Sequence, residues 1–169
     1  MGPVLVLAER GGAGRSTCAL LTLARRLGEP VVVLGGAADE ASVAVLGRFG
    51  AVRVCAVDAA EMAEHPAAAR VEVLVELVGR VSPVAVLVAA GRDGLEVAAR
   101  LAVRLDAGIL SDVVDVRAGL DGPVGIQAVV GGSHLVQSSV VRGTPIFCVR
   151  TQQVAPVPDP ARPVIDNLR

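Results

Sequence analysis

The chain has 169 residues with 16 basic and 17 acidic side chains, a formal net charge of −1, and 53% of its residues are hydrophobic. That length holds one domain with a full core and is marginal for two. Its balanced charge, spread without a basic stripe, and its lack of any aromatic beyond Phe49 and Phe147 speak against nucleic-acid binding. Every basic residue is Arg, so Schiff-base lysine chemistry and a P-loop lysine are excluded.

In chain order, residues 3–8 (PVLVLA) read as a buried strand that turns out through Glu9-Arg10-Gly11-Gly12-Ala13-Gly14. Leu20, Leu23, Ala24 and Leu27 then fall at helical spacing, predicting a helix over 16–27 closed by Gly28. A second strand occupies 30–36. Asp39 is placed to cap a helix that runs to Phe49 and is closed by Gly50. A third strand follows over 51–58. Pro66 starts the next helix at its first turn, with Val71, Leu74, Val75 and Val78 on its apolar face.

The fourth strand is 83–90. Asp93, with Glu96 three residues later, reads as a capping box opening a helix that carries Leu95, Ala98, Leu101, Ala102 and Leu105 inward. Four strand–helix repeats with short connections make an α/β fold, an open sheet with helices on both faces. After Asp106 the runs become strand-like without intervening helices, divided by the turn signals Asp121-Gly122 and Arg142-Gly143. These strands predict an antiparallel or mixed extension of the main sheet. Residues 1–150 are read as the domain. Residues 151–169, with four prolines between 156 and 163, are read as a linker or tail and not as a packed element.

Few residues carry a chemical signature. Arg10-Gly11-Gly12-Ala13-Gly14-Arg15-Ser16-Thr17 imitates the phosphate loop of partition-type ATPases, but both lysines of that motif are arginines. The only strand ending in the expected acid, at Asp58, has no further ATPase feature around it. His65 and His134 sit at a helix start and in a Gly-Gly-Ser-His turn, away from any triad or metal spacing. Asp112 and Asp115 flank a Val pair and suggest a strand edge, while Ser138-Ser139 reads as polar strand-end surface. Cys18, Cys55 and Cys148 lie far apart among apolar neighbours, as buried thiols do. MGPVLVLAERGG is too short an apolar run for a secretion signal, and no run reaches the roughly 18 residues that span a bilayer. The chain reads as cytoplasmic, without membrane insertion.

Several separated motifs, in order, resemble one family. Val4–Glu9 is similar to the opening VLVLAE strand of electron transfer flavoprotein alpha subunits. Ala98-Ala99-Arg100-Leu101-Ala102 and Gly108-Ile109-Leu110-Ser111-Asp112-Val113 resemble a helix–loop segment of the same family. Gly131-Gly132-Ser133, Val136-Gln137-Ser138-Ser139 and Ile146-Phe147-Cys148-Val149-Arg150-Thr151 resemble the stretches that end its first domain.

The resemblance implies a three-layer sandwich with a mostly parallel sheet and antiparallel C-terminal strands, resembling adenine-nucleotide-hydrolase-like domains. It implies that this copy holds no nucleotide and docks a beta-type subunit as the scaffold half of a heterodimeric electron carrier. Acyl-CoA-type or other flavin dehydrogenases would be reached through that complex. FAD is expected of the complete subunit pair, with its contacts in a later domain beyond the linker in which this sequence stops. No catalytic, cofactor-binding or metal residue is therefore assigned to this chain.

Arg142 and Arg150 are nominated for the partner interface because Arg is enriched at such surfaces. Two other readings compete. One is a stand-alone nucleotide-binding module of the universal-stress or partition-ATPase type, resting on the Gly11–Thr17 turn. The other is a structural domain that oligomerises through its sheet edge after residue 107.

Overall fold

Short aliphatic runs buried on both faces form the centre of the molecule. In the computed structural model, which describes residues 1–57 and 65–168, the strands are β1 (Pro3–Leu7), β2 (Glu29–Gly35), β3 (Arg53–Val57), β4 (Ala85–Ala89), β5 (Ile109–Gly119), β6 (Gly122–Val129), β7 (His134–Ser139), β8 (Ile146–Val149) and β9 (Val164–Leu168). They form one sheet in the order β7-β6-β5-β8-β4-β1-β2-β3-β9. From β5 to β9 across that order the pairings are parallel, and β5–β6 and β6–β7 are antiparallel. The four helices among the described residues are α1 (Arg15–Ala24), α2 (Glu40–Arg48), α3 (Pro66–Val81) and α4 (Arg92–Leu105).

Alternate side chains of each central strand reach opposite layers. Val4, Val6, Val32, Leu87 and Phe147 pack with Leu20, Leu23 and Leu46 of α1 and α2. Leu5, Leu7, Val33, Val86 and Ile146 pack with Val71, Leu74, Val97 and Leu101 of α3 and α4 on the other face. This is the α/β three-layer sandwich that the alternating strands and helices predict. Cys18, Cys55 and Cys148 are buried within it, as read. Burial pushes the Cys148 thiol up to about 12, with Asp112 adding a smaller push.

Local capping chemistry holds in one helix and fails in another. Asp39 accepts from Ser42 N at 2.9 Å and caps α2 as predicted. At α4 the N-cap is Gly91 and no side chain caps the helix. The capping-box reading of Asp93 and Glu96 is corrected: Asp93 lies one residue inside the helix and pairs with Arg10. The buried face of α4 holds Val97, not Leu95, which is exposed.

The Pro-rich segment also differs from its reading as an unpacked tail. It starts with a 3-10 turn at Thr151–Gln153, crosses the α1–α2 layer, and ends as β9 beside β3. Prolines hold it extended, and neighbours satisfy its backbone. Val157 N donates to Thr22 Oγ1 at 3.0 Å, Asp159 N to Arg48 O at 3.0 Å, and Ala161 N to Gly47 O at 2.8 Å. Gly47 has no Cβ because one would stand 2.9 Å from Ala161 O and from Pro163 Cδ. Asp58, singled out in the sequence, lies outside the described residues.

Candidate functional site

Three places gather polar or exposed groups in a way the core does not require: the turn after β1, the crevice between β1 and β4, and the antiparallel arm β5–β7.

The turn after β1 is closed on itself. Gly11 and Gly12 take positive φ of 95° and 79°, and Gly12 N donates to Glu9 O at 2.9 Å. Fully buried Thr17 donates its hydroxyl to Gly12 O at 2.8 Å and accepts from Glu9 N at 3.3 Å. Arg15, at the position of the second motif lysine, turns away to donate to Thr151 O and Val154 O at 3.0 and 3.1 Å. A phosphate loop needs free amides and an inward cation. Here the hydroxyl closes the loop and the cation fastens the 151–154 carbonyls, so the phosphate-loop reading of this motif gives way.

The crevice arises from topology. After β1 the chain passes to the α1 layer, and after the neighbouring β4 it passes to α4 on the opposite face. Adjacent strands whose connections diverge leave a gap at their carboxyl ends, where open α/β sheets bind ligands. The gap encloses about 340 Å³, near the lower end of small-molecule pockets. Its charged lining is Glu9, Arg10, Arg70, Arg92 and Asp93. Arg10 Nε and Asp93 Oδ2 are paired at 3.1 Å. A Cβ at Gly94 would meet Ala89 O at 2.0 Å, so any other residue there forces the backbone to shift. Arg70 is only 8% exposed. Burial lowers its pKa first and the nearby Arg10 charge lowers it further, against a smaller opposing pull from Asp93.

The crevice, about 340 Å³ and open to solvent, is smaller than a flavin dinucleotide and would cover only part of one. The turn after β1 offers no better fit, since its polar groups are already bonded to one another.

The arm is built differently. A bulge at Asp112, with φ of 55°, shifts the register of β5 against β8. Gln127 Nε2 donates to Ser111 O at 2.7 Å and Ser138 Oγ donates to Gln127 Oε1 at 3.0 Å, tying the three strands together. β7 is an edge strand of which every residue but Ser138 is exposed. Val129, Val130, Leu135 and Val136 are exposed around the β6–β7 turn, with Leu135 at 69%. Val130 takes φ of 52°, which is costly for a β-branched side chain. An open edge flanked by exposed aliphatic side chains is a template for another chain.

The residues singled out in the sequence do not converge. Arg142 pairs with Asp106, and Arg150 Nε pairs with Asp112 Oδ1 at 2.9 Å; the two arginines stand at opposite ends of β8. Asp115 pairs with Arg26 and Arg117, so Asp112 and Asp115 serve different arginines. Their strand lies between β8 and β6, which corrects the reading of a strand edge. His134 opens β7 with Nδ1 2.9 Å from Ser133 Oγ. His65 is the N-cap residue of α3 without a capping side-chain bond. Ser138 and Ser139 end β7. Among the described residues no group of three metal-ligating side chains comes together, and no helix is long and apolar enough to cross a membrane.

Sequence reasoning missed Arg70 and Gly94. The spacing of Gly91 and Gly94 directly after a buried strand was the available signal for the crevice.

Comparison with known proteins places these features in a family. The family model described as electron transfer flavoprotein domain matches residues 4–166. The electron transfer flavoprotein subunit alpha of Mycobacterium tuberculosis (strain H37Rv) is 36% identical over 162 residues, covering 94% of this chain and 50% of that protein. The subunit of the same name from Mycobacterium leprae is 36% identical over 162 residues, with the same coverage. That of Syntrophomonas wolfei is 28% identical over 145 residues, covering 85% of this chain and 45% of its own length. The chain spans about half the length of the curated relatives it matches.

Proposed function

The chain belongs to the electron transfer flavoprotein domain family, and from that premise we propose that it is the scaffold domain of an alpha-type subunit in a flavin electron carrier. Its task is to dock a beta-type subunit, with the β5–β7 arm as the docking surface. It carries out no catalysis by itself. One observation carries this reading: β7 leaves its backbone edge open and surrounds it with Val129, Val130, Leu135 and Val136 instead of covering them. Edge strands left in this state invite pairing, and natural proteins ordinarily blunt them with charge or proline. The names of the relatives, which are alpha subunits, supply the kind of partner.

Arg142 lies in the connection from β7 to β8, and Arg150 pairs with the bulge residue Asp112. Both adjoin the arm, and we assign them to the polar rim of the interface. Both side chains stay exposed to solvent while paired with Asp106 and Asp112. Rim charges of this kind set encounter rate more than affinity.

FAD, in this reading, is held by the assembled pair outside the residues described. It would supply reversible electron storage, and this chain contributes a fixed platform for the beta-type subunit. Flavin dehydrogenases would then meet the complex and not this domain alone.

The test is to purify the chain with and without a co-expressed beta-type subunit, add FAD, desalt, and record the visible spectrum. No side chain of the chain absorbs in the visible, so retained flavin is read directly from its own bands. Stable association with the partner is the result expected, with flavin absent from the chain by itself. Flavin retained by the isolated chain, or no association at all, contradicts the reading.

A further inference from the structure

The two ends of the sheet are finished differently. At one end β7 is open. At the other, the chain leaves β8, crosses the α1–α2 layer and returns as β9, which pairs in parallel with β3 from Arg53↔Val164 to Val57↔Leu168. Thr151 and Val154 at the start of this segment are buried, and beyond them no residue up to Leu168 is. Burial of its own side chains therefore does not explain why the segment lies where it does. Polar bonds hold it instead. Arg15 donates to Thr151 O and Val154 O, and Arg25 donates to Val157 O at 2.8 Å and stands 3.7 Å from Asp159 Oδ2. Val164 N donates to Val52 O at 3.0 Å, and Arg53 Nη1 donates to Asp166 Oδ2 at 2.7 Å. Exposed, hydrogen-bonded backbone with little buried apolar surface is the part of a fold that opens at least cost, and it opens as a unit.

What the segment covers gives it a purpose. After Arg53, β3 reads Val54-Cys55-Ala56-Val57, buried at every position, with no charge, proline or glycine. A strand of this kind left at an edge is a template for another copy of itself. β9 takes its place as the outermost strand and carries what blunts an edge: Pro163 directly before it and the charge of Asp166 at its centre.

We infer that residues 151–168 are a built-in guard for the β3 edge: the strap keeps β9 seated on β3, and once the strap is lifted β3 pairs with β3 of a second copy of this chain. A second copy fits because Val54–Val57 carries no charge to oppose its own likeness. An antiparallel two-fold through its middle also sets the two Arg53 side chains at opposite ends. Gly47 is the point at which the guard can be lifted. It lies in α2 against the strap, where a Cβ would stand 2.9 Å from both Ala161 O and Pro163 Cδ. Alanine is the better helix former, so Gly47→Ala favours α2 while it displaces the strap.

The test uses the full chain carrying Leu135→Asp, which silences the arm, so that this inference and the docking role of the arm fail separately. Hydrogen exchange follows the amides of Asp159, Ala161 and Val164, which donate to Arg48 O, Gly47 O and Val52 O. Gly47→Ala should speed their exchange at least about tenfold, while the amides of β1 and β4 keep their rates. Thr22→Val, which takes away the acceptor of Val157 N without a steric push, should act in the same direction. Sedimentation should then show self-association of the Gly47→Ala chain that grows with concentration, and a monomer for its parent. An added peptide of residues 154–168 should return the variant to the monomer by occupying β3. Both substitutions must free the strap and spare β1 and β4, so misfolding cannot imitate the result. Strap amides unchanged in both variants, a lifted strap on a chain that stays monomeric, or association that the peptide leaves intact each overturns the inference.

Discussion

β1, β4 and β8 at the middle of the sheet and β6 and β7 at its end contain similar aliphatic side chains under opposite conditions. The residues of β4 and β8 are buried throughout, with helices on both faces, while β7 is exposed along nearly its whole length. In the centre, the side chains are held by one another and contribute through area removed from water. In the arm, Leu135 and Val136 gain little from the fold, and their backbone edge stays open. Hydrophobicity without burial in a folded chain points outward, to something that completes it. The sheet thus has a centre buried on both faces and an arm whose aliphatic side chains stay exposed, and the arm is the part proposed to dock a partner.

Substitutions can break or sharpen that division. The largest effect is expected in the centre: Phe147→Ala, at a fully buried position, should lower unfolding free energy by about 3–5 kcal/mol. Leu135→Ala in the arm should change it by less than about 0.5 kcal/mol. Denaturant titration of both variants checks the contrast, and similar losses would erase it. Next comes Gly94→Ala. Its new Cβ would press on Ala89 O, and a loss of about 1–3 kcal/mol is expected in the same titration.

Val130 sharpens the comparison with the opposite sign. A β-branched residue at φ of 52° is strained, and asparagine accepts that conformation more readily. Val130→Asn should therefore stabilise the isolated chain by about 1 kcal/mol, read from its melting temperature, while weakening its association with a beta-type subunit. A residue kept against its own conformational preference and left exposed is what a docking surface would require.

The smallest effect concerns pH. Bonds from Ser42 N and Ser42 Oγ hold the Asp39 carboxyl below its ordinary pKa. The folded-state pKa is then lower than the unfolded one. Its contribution to stability is present above the unfolded value and is lost as pH falls through the folded value. Asp39→Asn should flatten that acid limb of the stability profile while α2 remains capped, and thermal melts across acidic pH check it. An unchanged acid limb would show that other carboxylates dominate it.

What was legible in the sequence follows the range of the interactions involved. The Asp39 cap, Pro66 at the start of α3 and the two-layer burial of the strands rest on neighbours within a few residues, and all could be read. The Gly91 cap of α4 could not be separated from Asp93 by local rules, because the contact that fixes Gly94 comes from the end of β4. β9 pairs with β3 through contacts such as Arg53 with Asp166, 113 positions apart, and four prolines nearby disguise the approach. Arg70 lies on a helix whose apolar stripe is only partly legible: Val71 and Leu74 are buried as the spacing predicts, Val75 and Val78 are half-buried, and the buried Leu77 falls outside the predicted set. The place of Arg70 at the crevice depends on β4 lying beside β1, which no local pattern encodes. The arm was foreseen as antiparallel strands, whereas its exposure depends on what the rest of the chain leaves uncovered.

The proposed docking role of the β5–β7 arm is open to direct test. The most direct measurement is sedimentation of the chain mixed with a beta-type subunit, comparing the natural sequence with Leu135→Asp. The prediction is a heterodimer with the natural chain, lost or strongly weakened by Leu135→Asp, with both chains equally stable when unmixed. A heterodimer that forms equally well with Leu135→Asp would place the interface elsewhere and contradict the account.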